Sequence, residues 1–209
     1  VARVIPIPNG QFAQNCYLLA AADSSDGVII DPGEEAERIL DRARREKLTI
    51  RAIWLTHAHI DHVLGVRRVR EATGAPVYLH PADRPLYESL PRQAEMFGFR
   101  AEPPPPADHP LGHGDRLALG EETIEVRHAP GHSPGSVCFV GPGFVIGGDV
   151  LFQGSIGRTD LPGGSFERLI RSIREELLSL PDDTLVYSGH GPVTTIGAER
   201  RGNPFLAVG

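Results

Sequence analysis

The chain has 209 residues, of which 40% are hydrophobic and 23% charged, with a formal net charge of -6. That is enough for one large domain with its own core, and a single domain over residues 1–209 is the expectation. The acidic balance argues against a nucleic-acid partner, which needs a positive surface; no run is long enough to span a membrane and no basic-plus-apolar leader is visible, so the default compartment is the cytoplasm.

In chain order, strand-like runs come as RVIPI, NCYLLAA and GVIID, then AIWLT and PVYLH, and in the second half TIEVRH, SVCFVG, FVIGG and TLVYS, many of them closed by Gly, Pro or Asp. EEAERILDRARREK after Gly33 and HVLGVRRVREATG after Asp61 read as helices. A third helix follows Ser165, a suitable N-cap, and sets Phe166, Leu169, Ile170, Ile173, Leu177 and Leu178 on one stripe. Strands grouped in each half, with helices between and after them, predict an α/β protein of two packed sheets with helices outside. The Pro-rich stretch at 102–115 would be the natural place to divide the chain. Candidate metal ligands fall on both sides of it, so it is read as a surface loop. Cys16 and Cys138 lie inside apolar runs and read as small buried hydrophobes rather than a disulfide framework.

The ends of the strand-like runs carry the chemistry. AIWLT delivers His57, His59, Asp61 and His62; TIEVRHAPG delivers His132; FVIGG delivers Asp149; TLVYSG delivers His190. Imidazole and carboxylate are what zinc and related divalent ions take in catalytic sites. His57 and His59, two apart in extended chain, can point the same way, whereas Asp61 and His62 sit where a helix begins and turn elsewhere. Two groups imply two ions. One fits His57, His59 and His132, the other Asp61, His62 and His190, with Asp149 between them.

THAHIDH at 56–62, HAPGHSPGS at 128–136, GGDVLF at 147–152 and SGHGP at 188–192 resemble the successive motifs of the metallo-β-lactamase superfamily, and GSIGRTDLPGGS at 154–165 is similar to a segment of its glyoxalase II-like hydrolases. The resemblance implies an αββα sandwich of two mixed sheets flanked by helices, with a dinuclear site at one edge. It implies the ligand roles just given, two divalent ions (zinc, with iron or manganese as alternatives), and a small-molecule thioester substrate of the 2-hydroxyacyl type, such as S-lactoylglutathione. The nucleophile would be a hydroxide bridging the ions, with Asp61 both a ligand and a proton acceptor. An acid at 149 argues against the true β-lactamase branch. The long form of glyoxalase II carries a C-terminal helical domain that holds glutathione; this chain ends 19 residues after His190, so that domain is not expected. Relatives often have Gly-Gly where this chain has Leu64-Gly65. Persulfide dioxygenases resemble the same motifs and give the alternative reading, one iron on the residues matching His57, His132 and Asp149.

Further residues have less definite roles. Arg158 and Asp160 in GRTD could hold a substrate carboxylate and pin the loop, or form a structural ion pair. Asp31 could orient a ligand histidine. His80, His109 and His113 lie outside the ligand pattern, and His128 alternates inward with Ile124 and Val126, as a buried neighbour of the site would.

Overall fold

In the structure, a computed structural model describing residues 1–207, the strand-like runs pair into two six-stranded sheets. The first contains β1 (Arg3–Asn9), β2 (Gln14–Ala20), β3 (Asp26–Ile30), β4 (Thr49–Trp54), β5 (Val77–Leu79) and β6 (His109–Pro110), in that spatial order. The second has β7 (Arg116–Leu119), β8 (Glu122–His128), β9 (Val137–Gly141), β10 (Phe144–Gly148), β13 (Leu185–Ser188) and β14 (Thr194–Thr195), ordered 14-13-10-9-8-7, with β11 (Leu151–Phe152) and β12 (Ser155–Ile156) as a separate hairpin. Both sheets are mixed: β3, β4, β5 and β6 run parallel, as do β10 and β13, and the other pairs are antiparallel.

Strand periodicity sorts the apolar residues into three layers. Tyr17, Leu19, Val28, Ile30 and Trp54 face Ile124, Val126, Phe139, Phe144 and Ile146 between the sheets. Trp54 and Phe139 meet across that interface with ring centroids 5.2 Å apart, a contact worth about 0.5–1.5 kcal/mol beyond its burial. The alternate residues, Cys16, Leu18, Ile29 and Ile53, face Ile39, Leu40 and Ala43 of α1 (Ala36–Arg45) and Val66 and Val69 of α3 (Val66–Thr73). Cys138, Val145 and Val186 face Leu169, Ile173 and Leu177 and, from α7 (Ile196–Gly202), Ile196. Covered on both faces, the central strands read as continuous apolar runs. The result is the αββα sandwich. Cys16 and Cys138 are free thiols in opposite outer layers.

Several expectations are revised. The helix after Asp61 is two helices, α2 (Ile60–Val63) and α3, broken at Leu64-Gly65. Gly65 donates its N–H to the Pro32 carbonyl, and a Cβ there would stand 2.3 Å from the Gly33 carbonyl oxygen, so the chain must cross α1's entry as glycine. The Pro-rich loop contains a short edge strand, because β6 pairs with β5. Two helices were not expected: α4 (Arg84–Glu88) and α5 (Leu90–Met96) each carry a proline, but in the first turn, where its missing N–H costs nothing. The helix after Ser165, α6 (Phe166–Ser172), runs into a π turn at Ile173–Leu177; Leu169, Ile173 and Leu177 are buried, whereas Phe166 is 54% exposed, off the predicted stripe.

Candidate metal centre

The parallel pairs β3–β4 and β10–β13 bring four strand C-termini to one edge of the sandwich, and β8, antiparallel to β9 as β10 is, ends there too. Those ends carry Asp31, His57 to His62, Asp149, His190 and His132. The seven predicted residues therefore converge. Nδ1 of His59 lies 2.8 Å from Nε2 of His132, and the His57 ring stands 4.9 Å from that of His59 and 4.8 Å from that of His132. On the other side, Nε2 of His190 is 2.9 Å and Nε2 of His62 3.5 Å from Oδ2 of Asp61. Asp149 stands between, with Oδ1 3.3 Å from His62 Nε2 and Oδ2 3.5 Å from both His132 Nε2 and His190 Nε2.

Four of the five rings, all but His59, are turned by a partner on the far nitrogen. Nδ1 of His132 faces the Arg158 carbonyl at 2.8 Å, and Nδ1 of His190 faces the Phe12 carbonyl at 3.1 Å, so in both rings Nδ1 carries a hydrogen and Nε2 is turned into the cluster. Asp31 accepts the Nδ1–H of His62 at 2.8 Å, the Thr56 hydroxyl at 2.5 Å and the Thr56 N–H at 2.7 Å. Because the Thr56 hydroxyl donates to Asp31, its oxygen is left to accept Nδ1–H of His57 at 3.0 Å. One buried carboxylate thus orients a histidine of each group. It is also why Asp31, though within ligand distance of His57 and His62, is an orienting residue rather than a ligand.

Burial pushes His57 well below its ordinary pKa, and the imidazoles of His62, His132 and His59 push the same way; His59 is pushed down to about 3, by burial first and His132 next. These two rings are neutral, with lone pairs available. In the other group burial works against ionising Asp61 and Asp149, but His62 and His190 outweigh it and hold both carboxyls below the usual range. Burial likewise opposes protonation of His62 and His190, and the facing carboxylates, with hydrogen bonds, raise both. Protons there stand where a cation would. Metal uptake would release them and is favoured as pH rises.

Three buried polar atoms in this cluster have no hydrogen-bond partner: Nε2 of His57, Nε2 of His62 and Oδ1 of Asp149. Buried polar groups are otherwise nearly always satisfied, so unpartnered nitrogens and a carboxylate oxygen in one cluster fit the donor set of a divalent metal site. The backbone makes room for it: a Cβ on Gly189 would lie 2.1 Å from Oδ1 of Asp149 and 2.7 Å from Cε1 of His62.

The remaining candidates fall elsewhere. The Arg158 guanidinium is exposed and forks onto Asp160 at 2.6 and 2.8 Å, while its backbone carbonyl serves His132. His128 is only half-buried and turns away from the cluster, stacking on His80 at 4.0 Å with a 10° interplanar angle. His109 lies against Tyr78, and His113 near Glu176. Sequence reading missed Thr56, and it missed Asn15 and Tyr17 of β2, whose side chains donate to the Ser188 carbonyl at 3.0 and 2.5 Å and fix the turn that carries His190. The bonds of Asn15 and Tyr17 cross from one sheet to the other, and those of Thr56 join the ends of two strands paired far apart in sequence.

Residues 9–190 match the Metallo-beta-lactamase superfamily. The chain belongs to that superfamily. It is 43% identical to hydroxyacylglutathione hydrolase GloC of Haemophilus influenzae, over 96% of either chain. Among solved structures, the BLEG-1 B3 metallo-beta-lactamase superposes with a TM-score of 0.92 at 45% identity, covering 98% of this chain and 100% of that one. TTHA1623 in a di-iron-bound form superposes at 0.90 with 46% identity, covering 97% and 100%. These likenesses and the His/Asp clusters make this superfamily member a metal-dependent hydrolase that binds divalent metal. Among the described residues no helix is long and apolar enough to cross a membrane.

Proposed function

We propose that the protein is a dinuclear metal-dependent hydrolase of small thioesters, 2-hydroxyacyl thioesters of a low-molecular-weight thiol being the leading class. The observation that carries this reading is that His57 Nε2, His62 Nε2 and Asp149 Oδ1, one atom from each ligand group and one from the residue between them, are buried without a hydrogen-bond partner. His57, His59 and His132 would hold one ion, Asp61, His62 and His190 the other, and Asp149 would belong to both. Divalent ions held by these residues would supply an activated water near neutral pH and polarise the acyl carbonyl. The likeness to GloC supports the thioester, and the di-iron relative supports iron as readily as zinc.

The chain's own part is to hold and orient. Asp31 and Thr56 fix His57 and His62, as the Phe12 and Arg158 carbonyls fix His190 and His132. Asp61, with Oδ2 2.9 Å from His190 Nε2, is placed to take a proton from the attacking water. Water adds to the carbonyl carbon, the C–S bond breaks, and acid and thiol leave. No serine nucleophile is required. The substrate is a small molecule, not a nucleic acid or a membrane.

The test is metal analysis of natively purified protein beside assays of S-lactoylglutathione, a β-lactam and glutathione persulfide. Close to two divalent ions and turnover of the thioester are expected. Exclusive turnover of the lactam would assign the chain to the chemistry of its BLEG-1 relative and overturn the thioester reading.

Arg158 offers a planar fork suited to a substrate carboxylate once released from Asp160. Arg158→Lys is expected to raise KM for a carboxylate-bearing thioester several-fold, with kcat, metal content and melting temperature near wild type. Unchanged KM with a lowered melting temperature would assign the pair a structural role instead.

A further inference from the structure

After β5 the chain turns over Pro81–Asp83 and buries a carboxylate that no metal ligand uses. Asp83 is 0% exposed. Its Oδ2 accepts the Ala58 N–H at 3.0 Å and the Ser133 hydroxyl at 2.7 Å, and its Oδ1 accepts the Gly135 N–H at 2.6 Å. Ala58 lies between His57 and His59; Ser133 follows His132. One carboxylate from a third segment therefore ties the loop of the first two histidines to the loop of the third.

We propose that Asp83 is a positioning residue for the first metal: it sets the separation of His57 and His59 from His132. The assignment rests on the metal reading of the site, though only on its first group. Four observations support it. The three donors come from both histidine loops, so losing the carboxylate uncouples two ligand segments rather than loosening one. Among the described residues no basic side chain pairs with Asp83, so this is a carboxylate buried for its hydrogen bonds, and burial pushes its pKa up against them. The loop is shaped to receive it, since a Cβ on Gly135 would stand 2.7 Å from the Asp83 nitrogen and 2.8 Å from its Cγ. The same turn grips the second loop again, His80 stacking on His128 while Nε2–H of His128 donates to the Pro134 carbonyl at 2.9 Å.

Asp83→Asn keeps the shape but has one oxygen. Its amide nitrogen must face either the Gly135 N–H or the Ala58 N–H, a donor against a donor. Partners that orient metal ligands typically contribute about 10–100-fold to metal affinity. Zinc titration of Asp83→Asn is expected to show that loss in one binding step, with the other unchanged, and in the His190→Ala background the loss should appear in the single remaining strong step. The cobalt-loaded protein should show altered d–d absorption.

Glu199→Gln is the comparison for mere structure. Glu199 is also buried and accepts from Thr194, Gly154 and Asn203, at 2.6, 2.9 and 2.9 Å, away from the histidines, so its loss should lower the melting temperature and leave both zinc affinities alone. Should Asp83→Asn fail to fold, Ser133→Ala removes one donor of the three and should weaken the same step several-fold. Wild-type zinc affinities in a folded Asp83→Asn or Ser133→Ala protein, whatever the melting temperature, would overturn the assignment. Wild-type protein that takes up no zinc would overturn the metal reading itself, and this one with it.

Discussion

Asp149→Ala is expected to lose affinity for both metal equivalents, whereas His190→Ala is expected to lose one. The difference follows from position. Asp149 lies 3.3 Å from His62 through one oxygen and 3.5 Å from His132 through the other, so it reaches both groups, while Nε2 of His190 is turned to Asp61 and Asp149 and to no ligand of the first group. Removing an orienting partner costs about 10–100-fold in affinity, and removing a shared ligand should cost at least that at each ion. Metal content after dialysis against a weak chelator measures it, with circular dichroism confirming the fold. Hydrolysis should fall to background. Two tightly held ions in Asp149→Ala would overturn the bridging assignment.

Much of the site was legible because its residues sit in dense local motifs. His57, His59, Asp61 and His62 fall within a few positions, directly after the apolar run that becomes β4, and His132, Asp149 and His190 each follow a run of their own. Parallel pairing then does the rest, bringing those ends to one edge. Of the orienting residues only Asp31 was marked in sequence, by its place at the end of the run GVIID; Thr56 and Asp83 carry no such local sign, and Asp83 acts on residues 25 to 52 positions away. Hydrogen bonds of that reach depend on how the sheets close, which composition and periodicity do not encode. The fold errors are also physical. Pro85 and Pro91 start helices rather than break them, Gly65 splits one helix because another backbone crosses it, and the stripe after Ser165 leaves Phe166 exposed. His128 alternates inward as expected but stops short, its ring claimed by His80.

His62→Ala decides between the hydrolase and the mononuclear-iron dioxygenase reading. His62 belongs to the group of Asp61 and His190, and its orphaned Nε2 faces Asp149. A dinuclear hydrolase needs that nitrogen, so the variant should retain one metal equivalent and lose most thioester hydrolysis. A Lewis acid contributes several kcal/mol to such a reaction and about 1.4 kcal/mol is tenfold in rate, so the fall in kcat should be on the order of 10²–10³-fold. An iron site built on His57, His132 and Asp149 needs His62 only as a neighbour, and its open positions would still admit oxygen and a sulfur ligand. The substitution also strips Asp31 of one donor, leaving it the Thr56 N–H and hydroxyl, so His57 keeps its orientation and the first ion its ligands. Thermal unfolding of the wild type and the variant, each without metal, separates any loss of stability from loss of the ion. Wild-type protein is expected to hydrolyse S-lactoylglutathione in an oxygen electrode without consuming oxygen. Rapid oxygen uptake with glutathione persulfide by the iron-loaded protein, persisting in His62→Ala and accompanied by negligible thioester hydrolysis in zinc, manganese or iron forms, would overturn the hydrolase reading while leaving the fold and the cage of histidines in place.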